Sequence, residues 1–153
     1  MIQDKQKAPA EDSVELATFY VGDALCGMDI LRVQEINKQL EITTVPRAPD
    51  YVQGIMNLRG QIVTIIDLGK KLGLGETHLN GRTRNIIVQS EGEYIGLLVS
   101  SISDVIAARW EDVDPPPANI GDIQGTFFTG VLKTKDQLIG ILNLEKVMSD
   151  EKQ

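Results

Sequence analysis

One cysteine, one histidine and one tryptophan occur among 153 residues, and the scarcities close off several classes of function. With Cys26 as the single thiol, no disulfide can form within the chain, so a reduced, cytoplasmic setting is expected. Cys26 and the lone His78 also fall short of the four nitrogen and sulfur ligands that a structural zinc requires. Basic residues are outnumbered: 15 Lys and Arg against 22 Asp and Glu leave a formal charge of −7. That balance argues against nucleic-acid binding, which depends on neutralising phosphates and releasing their counterions. Long apolar runs are missing too. A stretch such as Ile95-Gly96-Leu97-Leu98-Val99 is far short of the ~20 residues of a membrane helix, so no direct membrane insertion is expected.

Catalytic signatures are equally scarce. The sequence contains no phosphate-cradling GxxxxGK[ST], no GxSxG elbow and no HExxH helix, and Gly73-Leu74-Gly75 lacks the third glycine of a dinucleotide loop. His78 lies in the polar stretch 73–84 and reads as a solvated linker residue, while Cys26, between Leu25 and Gly27, reads as a small core filler. Asp29, Asp67 and Asp104 fall at strand ends, where turn and capping roles are simpler than acid–base chemistry. No enzyme activity and no cofactor are expected. A catalytic or small-molecule-binding barrel is the competing reading, and it would need a deep polar pocket with converging ionisable groups.

What the sequence does contain is a succession of short apolar runs broken by Gly, Asp, Asn or Pro, the pattern of an antiparallel all-β fold. Strands are predicted at 16–21, 25–28, 34–37, 55–58, 62–66, 85–89, 94–99, 104–107, 130–133 and 138–142. Tight polar links at Gly22-Asp23, Arg59-Gly60, Glu91-Gly92 and 134–136 predict hairpins. Short helices are predicted at 67–72 and 144–148, with Asp67 and Asn143 as their caps. The polar opening, residues 1–13, reads as a disordered tail, and 14–150 as a single domain.

The domain contains a repeat. GIMNLRGQIVTIIDLGKKL, from Gly54, aligns without gaps on GVLKTKDQLIGILNLEKVM, from Gly130, an offset of 130 − 54 = 76. Upstream, GMDILRVQEI from Gly27 matches GLLVSSISDV from Gly96, with Glu35 opposite Asp104. Two matches in the same order predict a duplicated unit of about five strands, dividing the domain near 14–80 and 81–150.

At one predicted turn, Asn57-Leu58-Arg59-Gly60 presents a guanidinium on a rigid hairpin, where its planar fork suits a carboxylate. The surrounding string, ITTVPRAPDYVQGIMNLRGQIVTIIDLGKKLGL over 42–74, resembles the signature of the CheW family of chemotaxis coupling proteins. RNIIVQSEGEYIGLLVSSISDVI, the Asp114-Pro115-Pro116-Pro117 stretch and FFTGVLKTKDQLIGILNLEKVM follow in that family's order, so the likeness covers about 14–150.

The resemblance implies two five-stranded SH3-like β-barrels packed around a shared hydrophobic core. It implies a non-catalytic adaptor joining the cytoplasmic tips of methyl-accepting chemoreceptors to the regulatory domain of the histidine kinase CheA, held at receptor arrays by these partners. Carried over motif by motif, a receptor groove would be lined by Val33, Glu35, Ile36 and Arg59 in one half and by Val99, Ile102 and Val105 in the other. Glu35 and Arg59 would pair at its rim, whereas core packing is the competing role for Val33, Ile36 and Val105. Kinase contact would fall on Ile42, Thr44, Val45 and Gly54. Three positions depart from the family pattern: Thr64 stands where Pro is common, and Ser100 and Asn143 where Asp is common.

Overall fold

In the computed structural model, which describes residues 12–38 and 41–149, every one of the ten predicted runs lies in a strand. In chain order they are β1 (Ser13–Val21), β2 (Ala24–Asp29), β3 (Val33–Asn37), β4 (Val52–Leu58), β5 (Gln61–Asp67), β6 (Arg84–Ser90), β7 (Glu93–Val99) and β8 (Ser101–Arg109), then β9 (Val113–Asp114), β10 (Asn119–Ile120), β11 (Ile123–Gln124), β12 (Phe128–Lys133) and β13 (Leu138–Leu142). The unpredicted strands β9, β10 and β11 have two residues each, too short to show an alternation. The tail expected over 1–13 lies outside the described residues as far as residue 11, and Ser13 already belongs to β1.

Local chemistry sets the turns and caps. Arg59 and Gly60 have φ of 53° and 88°, and Glu91 and Gly92 have 52° and 82°; positive φ at both loop residues is the I′ hairpin geometry, whose twist matches the flanking strands. Helix α1 (Leu68–Lys71) begins where the Asp67 carboxylate accepts the Lys70 N–H, and α2 (Leu144–Val147) where the Asn143 amide oxygen accepts that of Lys146.

Two large sheets result, ordered β8-β1-β2-β13-β12-β9 and β3-β6-β7-β5-β4, beside the small β10-β11 hairpin. The all-β pair of packed subdomains is as expected. Closed five-stranded barrels are not: among the described residues the first sheet has six strands and runs open from β8 to β9, the second from β3 to β4.

Strand registers carry the duplication. Gly27 of β2 lies beside Ile141 of β13, and Gly96 of β7 beside Ile65 of β5, both in parallel pairs. Likewise Val33 pairs with Val88 and Ile102 with Phe19. The sheets nevertheless do not follow the chain halves 14–80 and 81–150. Hairpin β1–β2 sits in the sheet built by β8, β12 and β13, and hairpin β6–β7 in that of β3, β4 and β5. Short links, the 3-10 turn Ile30–Arg32 and the single residue Ser100, carry the chain from one sheet directly into the other, so each half lends its first hairpin to its counterpart.

Apolar burial matches this exchange. The largest cluster joins Phe19, Cys26 and Met28 of the first sheet to Ile86, Leu97 and Val99 of the second, with Leu68 and Leu144 from the two helices. Each sheet also has its own smaller cluster, around Leu16 and Ile139 in one and around Val63 and Leu98 in the other. Cys26 is fully buried, and burial pushes its thiol up to about 12, consistent with a core filler.

Candidate functional site

Arg59 occupies the first position of the β4–β5 turn, where a left-handed backbone lifts its side chain clear of the sheet, and the Asn57 side chain accepts the Gly60 N–H to brace the turn. Its guanidinium donates to the Glu35 carboxylate of β3 at 2.5 Å. These strands are the two opposite edges of the second sheet, so the pair reaches across a curled sheet and not between neighbouring strands. The hydrogen bond from Arg59, with a second at 3.3 Å from the Asn37 amide, holds the Glu35 carboxyl below the usual carboxylate range. The same bond raises Arg59 above its ordinary value. Gln34, Leu58, Gln61, Ile87 and Tyr94 complete an open recess of about 300 Å³ around them. Sequence reading missed Asn37, although a strand places side chains two apart on the same face.

The expected apolar contacts divide. Ile36 on β3 and Ile102 and Val105 on β8 are 41%, 37% and 55% exposed. Val33 is half-buried and packs against the shared core. Val99 is fully buried in that core, because the last inward position of β7 faces the opposite sheet. Ile36 and Val105 correspond through the repeat, at an offset of 105 − 36 = 69 shared by Gly27 and Gly96.

At the other end of the sheet, Thr44 is exposed, Val45 half-buried, and Ile42 packs partly buried against the cluster around Met56. Gly54 has a structural place of its own. It is buried beneath this segment, with φ 148°, where a Cβ would collide with the Thr43 carbonyl. Thr43 and Ile55 exchange two backbone hydrogen bonds of 2.8 Å there. Gly130, its repeat counterpart, admits Val113 and Asp114 of β9 in the same way. Both glycines let a crossing segment lie close on a strand, which is a structural task.

A family model described as the CheW-like domain matches residues 15–152. This chain belongs to the CheW-like family. The CheW-like chain is 34% identical over 145 residues to the chemotaxis protein CheW of Treponema pallidum, covering 92% of this chain and 85% of that one. It is also 34% identical over 137 residues to CheW of Rhizobium meliloti, covering 90% and 88%. Among solved structures it is similar to the scaffolding protein TtCheW of Thermoanaerobacter tengcongensis, with TM-score 0.83, 33% identity and 94% of each chain covered.

The three positions expected to depart from the family pattern have local roles in the fold. Thr64 lies between Ile55 of β4 and Ile95 of β7, a central ladder position where it supplies the N–H that a proline lacks. The Ser100 hydroxyl accepts the Gly22 N–H at 2.9 Å, tying the β7–β8 link to the first hairpin, and Asn143 caps α2.

Proposed function

We propose that this chain, a chemotaxis scaffold by family, joins the cytoplasmic tips of methyl-accepting chemoreceptors to the histidine kinase CheA at receptor arrays, and catalyses no reaction itself. The observation that carries the receptor side is the pair of repeat-related edge strands, β3 and β8, which expose Ile36 and Val105 at corresponding positions. A sheet edge with uncovered aliphatic side chains invites association, and proteins that have no partner there shield such edges with charge or short strands. Ile102 extends the apolar contact on β8, and the Glu35–Arg59 pair supplies charge beside β3. A helical hairpin offering apolar knobs with a few charges is the kind of partner that fits. On the kinase side, Thr44 and Val45 are the reachable residues of the proposed contact, and Ile42 and Gly54 support them from below.

Reconstitution tests the reading. Autophosphorylation of the kinase with receptor signalling fragments is expected to rise when the chain is added, and to stay at the receptor-free level with Val105→Asp. A folded Val105→Asp protein that couples fully, together with unchanged coupling by Ile36→Asp, would remove the receptor assignment. No effect of the native chain on kinase activity or co-sedimentation would overturn the coupling role itself.

A further inference from the structure

Of the six arginines in this acidic chain, Arg32, Arg59 and Arg109 pair with carboxylates of their own chain. Arg47, Arg82 and Arg84 make no such pair among the described residues, and two of these three line one recess. That recess, about 380 Å³ in volume, lies at the seam between the sheets: Tyr20, Ser101 and Ile102 come from the first, Arg84 from the second, and Gly81 and Arg82 from the turn leading into β6. Among the described residues, no carboxylate lines it.

The two arginines are placed in different ways, one through its backbone and one through its side chain. Arg82 rides on a braced turn, where its N–H donates to the Asn80 side chain at 2.8 Å and the Asn80 N–H donates to the Thr83 hydroxyl at 2.9 Å. Thr83 is buried and its hydroxyl donates to the His78 carbonyl, so the turn is anchored in the body of the protein. Arg84 spends one terminal nitrogen, Nη1, on the carbonyls of Gly81 and Thr83, at 2.9 and 2.8 Å. Its remaining N–H groups have no partner among the described residues. A fixed guanidinium beside a second one on a braced turn, neither with a counter-ion among the described residues, is suited to a carboxylate, which such groups bind with short, charge-assisted hydrogen bonds. Ile102, 37% exposed at the same recess, adds an apolar contact that a small free anion has no use for.

We propose that the Arg82–Arg84 recess receives an acidic side chain of the receptor segment that lies along β8, anchoring a partner whose apolar face covers Ile102 and Val105. The inference rests on the receptor reading above and adds a charge to it at a place distinct from the Glu35–Arg59 rim. It also gives a local basic function to a chain whose net charge of −7 would otherwise repel an acidic partner.

The probe is the cytoplasmic tip fragment of a cognate chemoreceptor, titrated against the full chain. Arg82→Glu is expected to weaken binding about tenfold or more, since reversing one partner of a charged contact leaves two like charges facing. Arg82→Lys should retain most of the affinity. Lys135→Glu makes the same change of charge at a turn outside the recess and should leave binding within about twofold of the native chain. Changing the responsible acidic residue of the fragment to Arg should restore binding to Arg82→Glu. Thermal unfolding of each variant separates misfolding from lost contact, and Arg82, exposed on its turn, is chosen over Arg84 because its side chain holds no backbone group. Native-level binding by Arg82→Glu, with binding lost in Val105→Asp, would overturn the recess proposal and leave the receptor reading intact. Absence of any binding by the native chain would overturn the receptor reading itself. Displacement by inorganic phosphate without any effect of Arg82→Glu on the fragment would reassign the recess to small anions and also refute the proposal.

Discussion

Replacing Gly54 by alanine tests whether this glycine serves a partner or the fold. Its φ of 148° lies where side-chain-bearing residues are strained, and the added Cβ would meet the Thr43 carbonyl and the Ile42 side chain. A backbone oxygen cannot turn aside as a side chain can, so the 42–43 segment has to lift from β4. Lifting breaks the two 2.8 Å hydrogen bonds between Thr43 and Ile55, each worth about 1 kcal/mol net. Backbone strain adds about 1–3 kcal/mol if the segment stays in place. Either route costs about 1–3 kcal/mol, a fall in Tm of roughly 2–12 °C for a domain of this size. Urea unfolding with a shared m-value is the assay. Gly130→Ala is the built-in comparison: it meets Val113 and the Asp114 carbonyl but has no positive φ, so it should cost less. A loss below about 0.5 kcal/mol for Gly54→Ala, within the range of ordinary surface changes, would refute the structural role and return Gly54 to the partner-contact set.

Three further outcomes are expected. Asp67 is fully buried and accepts hydrogen bonds from Lys70 N–H and from both the N–H and the hydroxyl of Thr77; Asp67→Ala should cost about 2–4 kcal/mol in urea unfolding because it leaves buried donors unmet, against about 1 kcal/mol for the half-buried cap Asn143→Ala. The Glu35 carboxyl is held below its ordinary 4.5 chiefly by the hydrogen bond from Arg59. The folded state therefore binds this proton less readily than the unfolded chain, so the stabilising contribution is present above about pH 4.5 and is lost as the pH falls through the lowered folded value; urea midpoints from pH 6 to pH 3 should fall less steeply for Arg59→Ala than for the native chain, and identical slopes would contradict the pairing. Cys26 should resist a thiol-specific chromogenic reagent at pH 8 until urea unfolds the protein, because burial keeps its thiol neutral up to about 12; rapid native labelling would place it outside the core.

Short apolar runs broken regularly by Gly, Asp, Asn or Pro made all ten longer strands legible, since both the burial of a strand and the turn that ends it are written in neighbouring residues. The helix caps at Asp67 and Asn143 and the hairpin at Arg59-Gly60 were legible for the same local reason. The candidate site was legible only in part. Val99 and Val105 have the same residue type in similar surroundings, yet one is fully buried and the other 55% exposed, because β7 is an interior strand and β8 an edge. The Arg82–Arg84 recess was not legible at all: Tyr20, Arg82 and Ile102 are distant in sequence and meet only where the two sheets abut.

By itself, then, the amino-acid order determined the strands, their turns, the duplicated unit and the family, each of which depends on neighbours a few residues apart or on a motif read in line. The tertiary structure decided which hairpin joins which sheet. It gave β1–β2 to the sheet of β8, β12 and β13 and β6–β7 to the sheet of β3, β4 and β5, an exchange that two similar units permit and that short links from β2 to β3 and from β7 to β8 enforce. From that exchange follow the shared core, the open edges β3 and β8, and the seam where two arginines with no carboxylate partner among the described residues lie together. No run of residues encodes those features on its own, because they arise from burying one half's apolar faces against the other's.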